Sequence, residues 1–198
     1  LKSRMNNFEA LNFWVRMRKN NIKLAKLYKN QTIKPDLKSN YIYFAAPYQP
    51  EAVSSPNSGV FEDVFIVLDI LSASVPNDWL IYYKEHPATF LKGFRGSLKR
   101  NKLFYEKVNS YQNVKIVHKE LSTFRLIDAS QAVSSISGTV GWESVVRGTP
   151  ALAFGNAWYF GCKSVHKINT LDDAKNAIKK ICDGWKPDTK DVDRYAAS

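Results

Sequence analysis

The sequence predicts an α/β domain: a mostly parallel sheet of five or six strands, helices on both faces, and a further helix at the N-terminus. Three observations predict it. Short apolar runs alternate with helix-like stretches from residue 41 to residue 182, the pattern of βαβ units. The chain has 198 residues, enough for one domain of the common size plus an appendage. Its hydrophobic fraction is 44% and its aromatic fraction 13%, which excludes a disordered chain and supplies a core that needs no staple.

The first helix is predicted over residues 7–29, which no Pro or Gly interrupts. Leu11, Trp14, Val15, Ile22 and Ala25 fall near one face at 3.6-residue spacing. We expect Leu11, Trp14 and Val15 to pack on this domain or a further one, with Arg18, Lys19 and Lys23 outward. Pro35 and Lys38-Ser39-Asn40 then read as a linker. The expected division is therefore a basic helix and linker over residues 1–38 and a sheet domain over residues 39–198.

Strands are predicted at 41–46, 79–83, 114–117, 132–136 and 151–154. Between them lie helices at 60–73, 98–109, 122–128 and 139–147, the last closed by Gly148. A closing helix over 171–182 is opened by Thr170, with Asp172 and Asp173 in its first turn. This alternation makes the domain Rossmann-like. Ligands in such sheets bind beyond the carboxyl ends of the strands.

The net charge is +11, unevenly spread. Residues 1–40 carry ten Lys/Arg and two Asp/Glu, a balance of +8, and the rest only +3. The basic segment points to an anionic partner such as a membrane surface. A nucleic-acid partner is not expected, because the charge lies outside the part with organised motifs. No apolar run approaches the roughly 20 residues of a membrane span. No signal peptide is visible, so the expected location is cytoplasmic, with peripheral contact at the inner membrane face through residues 7–29. The chain begins at Leu1 rather than Met, as an excised fragment would. Cys162 and Cys182 have no metal-type spacing and read as free thiols; no metal or cofactor is expected.

Three strand ends carry unusual chemistry. Pro47-Tyr-Gln-Pro-Glu-Ala-Val-Ser-Ser-Pro56 forms a rigid polar loop with one carboxylate, Glu51. Lys84-Glu85-His86-Pro87 sets a cation, an acid and an imidazole directly after a strand, and Pro87 biases His86 toward extended geometry. His86 there suits a general acid or a contact to a leaving phosphate. Ser134-Ser-Ile-Ser-Gly-Thr-Val-Gly-Trp-Glu143 runs from a strand through small and hydroxyl residues into a helix. Ser137, Gly138 and Thr139 at that helix start suit a phosphate, and Glu143 suits ribose hydroxyls. Lys84 completes the predicted nucleotide contacts. A histidine or hydroxyl that merely caps the next turn is the simpler reading of each.

The run from Ser137 to Gly155, with Tyr83-Lys-Glu-His-Pro87 upstream and Tyr48-Gln-Pro-Glu51 before it, resembles the bacterial capsule polysaccharide biosynthesis proteins, which include the Kdo transferases of capsule assembly. The resemblance covers roughly residues 40 to 162. It implies a GT-B glycosyltransferase of two Rossmann-like domains, of which this chain is the C-terminal, donor-binding one. It implies a nucleotide-activated sugar such as CMP-Kdo as donor, a glycan or glycolipid as acceptor, and no metal. It assigns His86 to the family's Lys-x-His-Pro motif, Ser137, Gly138 and Thr139 to the helix start, and Glu143 to that helix. Kdo transferases carry an Asp shortly after the Gln of the first loop. Here Glu51 is the only acid in that stretch, so it takes the catalytic position beside His86. A sugar-nucleotide epimerase of the same fold is the second enzyme reading, and a basic membrane- or nucleic-acid-binding module the third.

Overall fold

A computed structural model describes residues 6–50, 58–91 and 94–197. The N-terminal helix, α1 (Asn7–Gln31), is opened by a capping box in which Asn6 and Glu9 satisfy each other's backbone N–H groups. Then follow β1 (Tyr41–Ala45), α2 (Val64–Ser74), β2 (Leu80–Lys84), α3 (Lys102–Ser110), β3 (Val114–Ile116) and α4 (Thr123–Ala129). The second half runs β4 (Ala132–Ser135), α5 (Val140–Val146), β5 (Ala151–Ala153), β6 (Val165–Lys167), α6 (Leu171–Cys182) and α7 (Thr189–Ala196). Short 3-10 turns occupy Gly59–Glu62, Pro87–Phe90, Gly96–Leu98 and Trp158–Gly161.

All strand pairings are parallel, in the order β3-β2-β1-β4-β5-β6. β1 is central, and its run Tyr-Ile-Tyr-Phe is buried on both faces, as a covered parallel sheet requires. Ile42 and Phe44 join the larger core with Leu24 and Tyr28 of α1, Leu68 of α2 and Ile178 of α6. Tyr41 and Tyr43 point to the other face, where Leu126 and Ile127 of α4 cover them. The strand order reverses between β1 and β4, so the loops leaving those two strands diverge and open a crevice at their carboxyl ends.

On this domain α1 packs by a face other than that of Leu11, Trp14 and Val15. Met17, Asn21, Leu24 and Tyr28 are buried, whereas Leu11, Trp14, Val15 and Ile22 are exposed. The physical reason is that half of the inner stripe is polar. Asn21 donates its amide to the carbonyls of Leu91 and Phe94, at 2.9 Å each, and Tyr28 donates its hydroxyl to the Val117 carbonyl at 2.5 Å. Buried polar groups that find such partners are as well placed as apolar ones. Arg18, Lys19 and Lys23 are exposed, as expected.

Two predicted helices begin later than their periodicity suggests. Asp63 caps α2 through the Phe65 N–H, and Asn101 caps α3 through the Phe104 N–H. The edge strand β6 and the helix α7 lie in a stretch where no strand or helix was expected. The Thr170 capping box with Asp173 opens α6 at the expected residue.

Candidate functional site

A cleft of about 390 Å³ opens beyond the carboxyl ends of β1, β2 and β4, at the point where the strand order reverses. The loop after β1 supplies Pro47 and Tyr48, the end of β2 supplies Lys84 and His86, and the segment after β4 supplies Ser137, Gly138 and Thr139. Glu143 reaches it from α5, Thr123 from the start of α4, and Tyr43 from the inner part of β1. His86 and the Ser137–Thr139 turn therefore open on one cavity. Glu51 lies outside the described residues.

The exposed His86 ring is fixed by its own turn. Its Nδ1 accepts the Ala88 N–H at 3.2 Å, so the ring caps the 3-10 turn Pro87–Phe90. An acceptor at Nδ1 leaves the proton of the neutral ring on Nε2. Capping and presenting an Nε2–H to the cleft are thus one arrangement rather than alternatives. Tyr48 stands beside it, ring centroids 6.3 Å apart, and is pinned where its hydroxyl accepts the Arg95 N–H at 2.9 Å.

Lys84 is buried at the cleft floor and spends two of its three donors on the protein: the Leu121 carbonyl at 2.6 Å and Thr123 Oγ1 at 2.9 Å. Burial pulls its pKa below the ordinary lysine value, and Glu120 partly offsets that. Its first role is to tie the end of β2 to the start of α4. Glu85 also lines the cleft, but its carboxylate is engaged inside the protein. Its carboxylate meets Arg100 Nε at 2.6 Å and accepts the Tyr83 hydroxyl at 2.7 Å. Arg100 in turn donates to Gln49 Oε1 at 2.8 Å, so one buried cation holds the β1 and β2 loops together. Burial would lower the Arg100 pKa, but the Glu85 carboxylate outweighs it and the guanidinium stays charged.

The turn after β4 is built differently from a bare helix start. The Gly138 N–H goes to Ser135 Oγ at 3.0 Å rather than to the cleft, and the Gly138 carbonyl accepts the Tyr159 hydroxyl at 2.7 Å. The strand's last serine thus caps the turn, and the donor expected from Gly138 is consumed inside the protein. Gly141 lets this happen, because a Cβ there would overlap the Tyr159 hydroxyl. Thr139 donates its hydroxyl to Glu143 Oε1 at 3.1 Å, which fixes that half-buried carboxylate at the cleft wall. A carboxylate accepting one hydrogen bond keeps capacity for further hydroxyl donors.

Sequence reasoning missed Tyr43, Thr123 and Arg100. Thr123 was within reach, since it follows β3 as the other site residues follow their strands. Tyr43 reads as core from its alternation, and burial holds its hydroxyl pKa above the ordinary value, partly offset by a Thr123 hydrogen bond. Nothing marks Arg100 among the charges of its segment. Among the described residues, no group of His, Cys, Asp and Glu is placed to hold a metal ion.

The chain is similar to several solved structures at low identity. The KpsC beta Kdo 2,4 transferase of Thermosulfurimonas dismutans is 18% identical, with a TM-score of 0.47, over 82% of this chain and 55% of that one. The UDP-GlcNAc 2-epimerase of Methanocaldococcus jannaschii is 15% identical, with a TM-score of 0.49, over 91% and 50%. WaaG, a glycosyltransferase involved in lipopolysaccharide biosynthesis, is 15% identical, with a TM-score of 0.45, over 88% and 45%. The chain spans about half the length of each. No curated protein matches it in sequence. Residues 11–180 match the family of capsule polysaccharide biosynthesis proteins, and the chain belongs to that family.

Proposed function

We propose that the cleft binds a nucleotide-activated sugar, and that the chain is the donor-binding part of a glycosyltransferase of capsule or surface polysaccharide synthesis. The observation that carries this reading is the convergence of His86, the Ser137–Thr139 turn and Glu143 on one cavity at the reversal of strand order. Such a crevice suits a nucleotide, whose ribose offers hydroxyls and whose phosphate offers charge. In this reading Glu143 accepts ribose hydroxyls. The His86 Nε2–H and the remaining N–H of Lys84 face the phosphate. Departure of the nucleotide leaves negative charge on that phosphate, and fixed donors stabilise it without reorganising. Glu51 is the carboxylate proposed to take the acceptor's proton, and a glycan or glycolipid is the proposed acceptor. CMP-Kdo is the first donor to test.

The test is a thermal-shift comparison of CMP, UDP, GDP and their sugar conjugates. A ligand at 100 times its dissociation constant adds about 2.7 kcal/mol. For a chain of this size that is a rise of roughly 5–10 °C in Tm. The reading fails if no nucleotide raises Tm. Conversion of a nucleotide sugar in the absence of any acceptor identifies an epimerase instead.

A further inference from the structure

α1 is held to the domain by one narrow side and shows the opposite side to solvent. At about 100° per residue, Met17, Asn21, Leu24 and Tyr28 share the buried side. On the same count Phe8, Leu11, Val15 and Ile22 share a second side, roughly opposite the first. Phe8 is 73% exposed, Leu11 62% and Ile22 58%, and Val15 is exposed with them. This stripe runs for about 20 Å along the helix.

The stripe is bordered by cations. Arg16, Arg18, Lys19, Lys23, Lys26 and Lys29 are all exposed. Among the described residues none of the six is in an ion pair. The one acid of the helix, Glu9, is occupied in the capping box. A second segment extends the surface. The Asn21 amide fastens the carbonyls of Leu91 and Phe94 to the edge of α1's buried side. Leu91, Phe94 and Leu98 are themselves exposed, with Arg95 among them.

We propose that this surface rests on an anionic lipid bilayer, with the apolar stripe in the acyl boundary and the flanking cations at the lipid phosphates. Charge complementarity selects the occupant. Unpaired cations call for a dense array of anions, and the exposed Leu, Ile and Phe call for removal from water beside them. A bilayer interface offers both at once. A nucleic acid would engage the cations and leave the stripe wet. The proposal is independent of what the cleft binds.

The test is co-sedimentation of the protein with neutral phosphatidylcholine vesicles and with vesicles containing about one quarter phosphatidylglycerol. Expected is partitioning at least about tenfold stronger to the anionic vesicles, lost when salt rises from roughly 0.1 M to 0.5 M. Two variants with exposed substitutions, Lys19→Glu with Lys23→Glu and Leu11→Ser with Ile22→Ser, should each lower it about tenfold with Tm unchanged. Should either variant misfold, the tryptophan added in Phe8→Trp, on the stripe, gives the same answer: brominated anionic lipid should quench it beyond the quenching seen in the wild type. Equal partitioning to neutral vesicles, or none to either, overturns the proposal. So does undiminished binding by the Leu11/Ile22 variant, which would mark a polyanion site. Concentration-dependent self-association without vesicles, abolished in that variant, would assign the stripe to a protein contact and also overturn it.

Discussion

At the scale of single residues, the cleft works because its side chains are held by more than one bond. Glu85 and Arg100 are the clearest case: a buried ion pair tied to Tyr83 and Gln49. Removing one partner of such a pair leaves an uncompensated buried charge. Arg100→Met should therefore lower stability by about 3–5 kcal/mol, measured by urea denaturation. His166 makes a second, separate prediction. Burial in β6 and the nearby Lys180 push its pKa down from 6.5 to about 4. Between those values the unfolded imidazole takes a proton that the folded one refuses. Stability should therefore fall as pH falls from 6.5 toward 4 and level off below that. His166→Phe, which keeps a ring against Trp185, should flatten this dependence; an unchanged slope would show that other groups cause it. The sequence made His86, Thr139 and Glu143 legible because they follow strands in a motif-bearing order. It hid Arg100 and the spent N–H of Gly138, because those depend on partners 15 and three residues away that only the fold brings in.

At the scale of elements, caps and close approaches decide where helices start and loops sit. Thr170 accepts the Asp173 N–H, while the Asp173 carboxylate accepts the Asn169 and Thr170 N–H groups. Those bonds hold the Asp173 pKa below its ordinary value. Thr170→Ala should cost about 1 kcal/mol of stability. Gly96 packs against Thr89 so closely that a Cβ would overlap its carbonyl. Gly96→Ala should destabilise by about 1–3 kcal/mol, visible in thermal denaturation, because the 94–101 segment must shift. Five strands and the capping of α6 were readable from alternating runs and a Thr-x-x-Asp signal. α1 was readable as a helix but not in its orientation, since Asn21 and Tyr28 are core residues that a count of apolar positions passes over. β6, three residues of Val-His-Lys at the sheet edge, has too little apolar signal to stand out.

At the scale of the whole molecule, the reversal of strand order is what opens the cleft. β1 and β4 are neighbours whose connections leave in opposite directions, and the loops that carry His86, Thr139 and Glu143 all end there. The parallel sheet, and the edge at which its cleft opens, followed from β/α alternation alone. The choice of nucleotide in the proposed function did not, since the chemistry that would make it is spread over contacts the alternation does not encode. Calorimetric titration of CMP, UDP and GDP into the wild-type protein and Glu143→Ala tests the assignment of the cleft most directly. One nucleotide should bind the wild type with a stoichiometry of about one, and the variant should bind it at least about tenfold more weakly, the loss of a charge-assisted hydrogen bond. Failure of all three to bind, or equal affinity in the variant, would contradict it.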